Sequence, residues 1–299
     1  MPSTRRTFLA AAGSAAVLAA CGETRSSSGT TAAANTSGST PASAGGATPA
    51  SFSVVQRFPS TGLFTPGEVR LPVSITGDGA LATDGPAELA GWVQSYVDAS
   101  KVTEFVGVRR NDGLDVPYWE IRTTLPDAKI YTLRLEGDDG YGANVEIMDP
   151  VHVFSPLTGA PLPPFDTPTA DDHRGVEPYC SRTPDPCPFH QVTLTDALAS
   201  GKPVLYMVGT PAHCQTGTCA PGLEFLIEQY QRVGDQIVVV HADVYADDAG
   251  TLIAPAVEAL GVEYEPIIYF TDAAGVVVDR LDGVWDRSEL ATRLDLLLS

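Results

Sequence analysis

The stretch KPVLYMVGTPAHCQTGTCAPGLEFLIEQYQR, residues 202–232, switches pattern twice and decides the fold. Val204 to Val208 is a short apolar run of the kind buried on both faces of a sheet. Gly209 to Thr218 is rich in glycine, proline and threonine and reads as a loop. From Gly222 to Arg232, Leu223, Phe225, Leu226, Ile227 and Tyr230 recur on one side of a helical wheel, while Glu224, Glu228, Gln229 and Gln231 fall mostly elsewhere. Strand, loop and helix therefore follow one another. Cys214 lies in the loop, and Cys219 lies just ahead of Pro221, which fits a first helical turn.

Downstream, Gln236 to His241 is a second buried run, followed by a helix near Leu252 to Leu260. A strand from Pro266 to Phe270, a turn at Asp272 to Gly275, a strand from Val276 to Leu281 and a last helix from Arg287 to Leu298 complete the chain. The order is βαβαββα. A helical crossover makes the first two strands parallel, so both emerge at one sheet edge, where open α/β folds place their sites. His241 ends the second of them.

Residues 190–299, roughly a third of the chain, resemble the thioredoxin-like superfamily. The resemblance rests on a cysteine pair between a buried strand and a helix start, on Pro221 just inside that helix, and on Glu265-Pro266-Ile267-Ile268-Tyr269-Phe270, where the family places a cis-proline beside its cysteines. It implies an α/β thioredoxin-like fold and a thiol-disulfide active site at Cys214 and Cys219, with Pro266 packed opposite. The arrangement as a whole is also similar to exported actinobacterial thioredoxin-domain proteins. Three features depart from the family pattern. Four residues separate the cysteines where the family has two, His213 replaces the usual tryptophan, and the inner strand lacks the buried carboxylate that moves protons.

The chemistry of the pair also follows from its position. The thiolate is the reactive form, and the unpaired N–H groups and partial positive charge of a helix N-terminus favour it. A protonated His213 would lower a neighbouring thiol further. Distance from the strand end favours Cys214 as nucleophile with Cys219 resolving; Cys219-Ala220-Pro221 imitates the start of the family motif and favours the reverse.

Two other chemistries compete on these residues. Thr210-Pro211-Ala212-His213-Cys214 resembles the threonine-to-cysteine motif of peroxiredoxins, with three intervening residues instead of two. Cys214, Cys219 and His241 also make a soft set suited to Cu(I), as in Sco-type copper chaperones built on the same fold. A non-enzymatic surface-binding lipoprotein, with every bridge structural, is the remaining alternative.

Upstream, residues 156–189 form a proline-rich connector holding Cys180 and Cys187. In an oxidising compartment two cysteines in such a loop read first as a structural disulfide; Cys187 with His190 three residues on reads alternatively as half of a metal site. Residues 52–155 are short β-type runs at Ser53–Arg57, Val69–Ile75, Glu104–Arg109, Trp119–Thr123, Ile130–Glu136 and Asn144–Met148, separated by glycine-containing turns. About seven strands in about a hundred residues predict an immunoglobulin-like sandwich, with Trp92 or Trp119 as the central indole. The expected architecture is thus two domains, an all-β sandwich and an α/β domain.

The N-terminus supplies the address. Arg5 and Arg6 precede an apolar run from Phe8 to Ala20, too short to span a bilayer, which resembles a twin-arginine signal peptide over residues 1–20. Leu18-Ala19-Ala20-Cys21 resembles a lipobox, making Cys21 the lipidated first mature residue. Residues 21–51 are a disordered linker: from Gly22 to Ser51 only Glu23, Arg25 and Asn35 are not Gly, Ser, Thr, Ala or Pro. With 18 Lys and Arg against 37 Asp and Glu, a formal charge of −19, the chain is unsuited to nucleic acid. The expected protein is a lipid-anchored, extracytoplasmic thiol-disulfide oxidoreductase or redox accessory protein at the cell membrane. Its partners would be protein thiols or disulfides, and it needs no cofactor unless copper binds.

Overall fold

The computed structural model describes residues 52–299, apart from 78, 139 and 263. The expected signal peptide, Cys21 and the whole linker lie outside them. Among the described residues no helix is long and apolar enough to cross a membrane.

Among the described residues the N-terminal half contains ten strands: β1 (Ser53–Gln56), β2 (Gly67–Arg70), β3 (Val73–Gly77), β4 (Ala80–Leu81), β5 (Glu88–Ser95), β6 (Lys101–Arg110), β7 (Tyr118–Glu120), β8 (Arg122–Leu125), β9 (Ile130–Leu135) and β10 (Ala143–Glu146). Eight of them form one antiparallel sheet in the order β1-β3-β7-β6-β5-β9-β10, with β4 on β3, while β2 and β8 form a separate ribbon. The expectation of two stacked immunoglobulin-like sheets is replaced by a single sheet rolled until it nearly closes. The segment after β1 stitches the two edges together: Glu146 N–H donates to the Ser60 carbonyl and Met148 N–H to that of Phe64, at 2.7 and 2.8 Å. Such stitching protects edges that would otherwise present unpaired backbone groups. Trp119 is the central indole, fully buried, whereas Trp92 is half-buried.

Two predicted strands divide for backbone reasons. The run Val69–Ile75 breaks at Leu71 and Pro72, because proline has no N–H to give a ladder; β2 then pairs with β8 and β3 with β1. The run Trp119–Thr123 breaks likewise at Ile121, whose carbonyl accepts from Leu71 N–H. Strand β5 is not among the expected runs, although Leu89, Gly91, Val93 and Ser95 alternate inward along it. Gly91 permits the close pairing there, since a β-carbon would meet the Arg134 carbonyl at 2.3 Å.

The C-terminal half runs α1 (Leu194–Ala199), β11 (Val204–Val208), α2 (Cys219–Val233), β12 (Val238–Ala242), α3 (Pro255–Leu260), β13 (Ile267–Thr271), β14 (Val277–Asp282) and α4 (Arg287–Leu297). Its sheet has the order β12-β11-β13-β14, with β11 and β12 parallel and the other pairings antiparallel. This is the expected order, with α1 added ahead of it. Alternate residues of β11 face opposite cores: Leu205 and Met207 pack with Leu223, Leu226, Leu290 and Leu294 of α2 and α4. Val204, Tyr206 and Val208 belong to a cluster that also holds Leu162 and, from the N-terminal half, Trp119, Tyr131 and Val145.

Among the described residues one cluster of buried side chains runs across the boundaries expected near 155 and 189, and residues 52–299 belong to one compact unit. The connector is bonded along its path: Gly159 N–H and Leu162 N–H donate to the carbonyls of Val277 and Gly275. A buried ion pair ties the halves at a second place. Arg70 of β2 donates to both carboxylate oxygens of Glu289 on α4 at 2.7 and 2.6 Å, and to the carbonyls of Asp282 and Val284. Tyr118 of β7 also donates to Glu289 and accepts from Asp286 N–H.

Candidate functional site

Cys214 and Cys219 are joined in a disulfide, their Cα atoms 5.9 Å apart. The bridge links the loop after β11 to the first residue of α2, at the edge where β11 and β12 end. Cys219 is fully buried and Cys214 half-buried, so Cys214 offers the accessible sulfur. The Cys219 N–H, the first of the helix, points at Cys214 Sγ across 3.3 Å, and the Thr216 hydroxyl lies 3.2 Å from the same sulfur. Thr218, which precedes the helix, turns its hydroxyl to the Gly283 carbonyl at 2.7 Å and caps no helical N–H. The helix end therefore acts on the sulfur of Cys214, through a bond that favours a thiolate there.

Pro266 follows a cis peptide bond from Glu265. A β-carbon on Gly209 would lie 3.2 Å from Pro266 Cβ and 3.5 Å from Cys219 Sγ, so disulfide, proline and strand end converge on one point, with glycine supplying the room. His213 lies away from that point: its Nε2 faces the Asp248 carbonyl at 3.0 Å, and its ring packs edge-on to Tyr245.

Glu265 is a candidate site residue that the sequence does not single out. Its Oε2 accepts from Thr210 N–H at 2.7 Å and lies 3.6 Å from Cys219 Sγ. Burial, opposed by the bond from Thr210, pushes its carboxyl up to about 7. When the bridge opens, a Cys219 thiol can pass its proton to this carboxylate. The inner strand has no such group, and the carboxyl beside the sulfur comes instead from the residue ahead of the proline. The Thr210 hydroxyl, central to a peroxiredoxin-like reading, is buried and accepts from Val244 N–H at 2.7 Å.

Cys180 and Cys187 correct a second expectation. They are free and buried rather than bridged, and they gather with His190 and His241 into a group whose ligand atoms all lie within 4.8 Å of one another. His241, expected as a copper ligand with Cys214 and Cys219, turns Nδ1 to Cys187 Sγ at 3.5 Å and Cys180 Sγ at 3.9 Å, and Nε2 to the Gly209 carbonyl at 2.8 Å. Both ring nitrogens are thus engaged, and the expected copper set is not assembled. The Cys180 thiol is held far below its ordinary value by a hydrogen bond from the Cys187 thiol, against the effect of burial, while burial and the neighbouring sulfur push Cys187 up. Burial would lower His241, but the Cys180 sulfur outweighs it and holds the imidazole up at about 9. Spacing within 180–190 hinted at Cys187 and His190; only the parallel pairing of β11 and β12 brings His241 to them.

The loop carrying Cys180 also borders the disulfide. Ser181 Oγ accepts from Ala212 N–H at 3.3 Å. A cavity of about 130 Å³ lies there, lined by residues that include Arg182, Pro211, Ala212, Ala220, Leu223 and Glu224.

No protein-family model and no curated protein matches the chain. Among solved structures, the chain is similar to a thiol:disulfide interchange protein, a thioredoxin family protein from Chlorobium tepidum TLS. The identity is 12% and the TM-score 0.34, over 48% of this chain and 100% of that one.

Proposed function

We propose that this protein exchanges thiols and disulfides with partner proteins through Cys214 and Cys219, held at an extracytoplasmic membrane face by a lipid on Cys21. The observation that carries the reading is the asymmetry of the pair: a reachable sulfur that receives a helix N–H, joined to a buried sulfur beside a carboxylate. A partner thiolate attacks Cys214 Sγ, forming a mixed disulfide and breaking the Cys214–Cys219 bond. Cys219 leaves as a thiolate and takes a proton, from Glu265 when that group is protonated. A second partner thiolate then attacks the partner's sulfur of the mixed disulfide and releases Cys214 as a thiolate. The partner dithiol is oxidised and the cysteine pair reduced by two electrons; the reverse sequence reduces a partner disulfide. The geometry favours Cys214 as the attacking sulfur in that reverse sequence.

The test is a trapping experiment on the full chain. Reduced Cys219→Ser, mixed with a peptide disulfide, should accumulate a mixed disulfide on Cys214 near one per chain, because the resolving sulfur is missing. Wild type should resolve the same adduct, and Cys214→Ser should form none. In addition, the wild-type bridge should open at a potential above about −300 mV. A bridge that stays closed against glutathione-level reductant would return the pair to a structural role and favour the binding-lipoprotein alternative.

A further inference from the structure

We infer that Cys180, Cys187, His190 and His241 form a closed, tetrahedral binding site for one zinc ion. All four residues are buried, with 4%, 4%, 1% and 0% of their surfaces exposed, so the donors face one another and not solvent. Three of the six donor separations fit the ion closely, and all six lie within 4.8 Å. Bonds of about 2.3 Å to sulfur and about 2.0–2.1 Å to nitrogen give tetrahedral edges of about 3.3–3.4 Å between two nitrogens and about 3.6 Å between sulfur and nitrogen. The observed edges are 3.3 Å from His241 Nδ1 to His190 Nε2, and 3.5 and 3.9 Å from His241 Nδ1 to the sulfurs of Cys187 and Cys180.

The outer hydrogen bonds orient both imidazoles for the task. A carbonyl only accepts, so the Gly209 carbonyl 2.8 Å from His241 Nε2 keeps a proton on that nitrogen, and Nδ1, once it gives up its own proton to an incoming ion, turns its lone pair inward. The Pro168 carbonyl, 3.3 Å from His190 Nδ1, leaves Nε2 of that ring as the inward donor. Ligating histidines are held by this kind of outer bond. The Cys187 N–H donates to Cys180 Sγ at 3.4 Å, which supports negative charge on that sulfur. Charge balance selects the class of ion: two thiolates and two neutral imidazoles cancel a dication, whereas Cu(I) would leave a net negative charge buried. With four protein ligands and no open position, the site is structural. It would fasten the loop carrying Ser181 and Arg182, one wall of the cavity beside the disulfide, to the end of β12.

The test reads metal and thiols, so it is independent of thiol exchange at Cys214. The full chain, reduced anaerobically, is incubated with zinc and desalted. Wild type and the Cys214→Ser/Cys219→Ser double variant should each retain one zinc per chain. Cys187→Ser and His241→Ala should retain less than a tenth of that, while His190→Cys should still bind. Cobalt(II) in wild type should give the absorption of a tetrahedral, thiolate-ligated ion, and zinc should protect Cys180 and Cys187 from alkylation; these two readouts decide the matter should the variants fail to fold. The inference is overturned by any of four results: no retained zinc, an octahedral cobalt spectrum, undiminished zinc in the variants, or retention of Cu(I) alone when each ion is offered separately.

Discussion

Replacing Glu289 with alanine should cost the protein about 3–5 kcal/mol, the range for removing one partner of a buried ion pair. Arg70 would keep its charge between β2 and α4 with only the carbonyls of Asp282 and Val284 as acceptors, and Tyr118 would lose the acceptor of its hydroxyl. The alternative of removing both charges is predicted to be far milder, since an apolar pair of similar volume avoids the desolvation of either ion. Arg70→Met/Glu289→Leu should therefore recover most of the loss. Urea denaturation measures both variants: the midpoint should fall sharply for Glu289→Ala and return toward wild type in the double variant. A loss below about 1 kcal/mol would place the pair with solvent-screened surface bridges instead.

The second large effect is kinetic and rests on the thiol-exchange reading. Glu265→Gln should slow the attack of Cys219 on a mixed disulfide at Cys214 by about 10- to 100-fold, at or below the lower end of general-base contributions. Glutamine preserves the acceptor for Thr210 N–H but cannot take a proton from the sulfur 3.6 Å away. In wild type the resolution rate should climb as Glu265 ionises near pH 7; in the variant that rise should vanish and the rate should follow the Cys219 thiol alone. Stability gives a second readout. The folded carboxyl titrates near 7 and the unfolded one near 4.3, so the folded state holds the extra proton between these values and stability falls as pH rises through them. The cost is absent below about pH 4 and complete above about pH 7. At pH 8 the variant should gain about 1–3 kcal/mol over wild type, allowing for solvent screening of a half-buried group, and at pH 4 it should gain nothing. Equal rates at every pH would remove Glu265 from the chemistry.

What was readable in the sequence tracks the distance over which each feature is determined. β11, α2, β12 and the β13–β14 hairpin are marked by local runs and turns, and their order dictates which strands are parallel. The meeting of Cys219 and Pro266 follows from that order. Glu265 is not legible in the sequence because its placement depends on the Thr210 N–H of another loop, and nothing near residue 265 announces it. Cys180 and Cys187 read as a bridge in the sequence because proximity along the chain is the only guide there; the fold adds His241, which lies far along the chain but is in a strand next to them. The N-terminal strands were legible as strands, but whether they stack in two layers or roll into one depends on the partnering of β1 with β3 and of β10 with β9, which no short pattern specifies.

The ion pair between Arg70 and Glu289 also bears on how such a gene can change. The last helix cannot be lifted out with the thiol-bearing segment without stranding a guanidinium in the remaining half, and the Pro-rich stretch is hydrogen-bonded along its route instead of hanging free. Recombination or truncation at residue 189 would therefore hand each fragment an unfinished interior. Any shuffling of this thiol-bearing segment must carry the strands from 53 to 146 with it, and the two halves should be inherited, and should melt, as one.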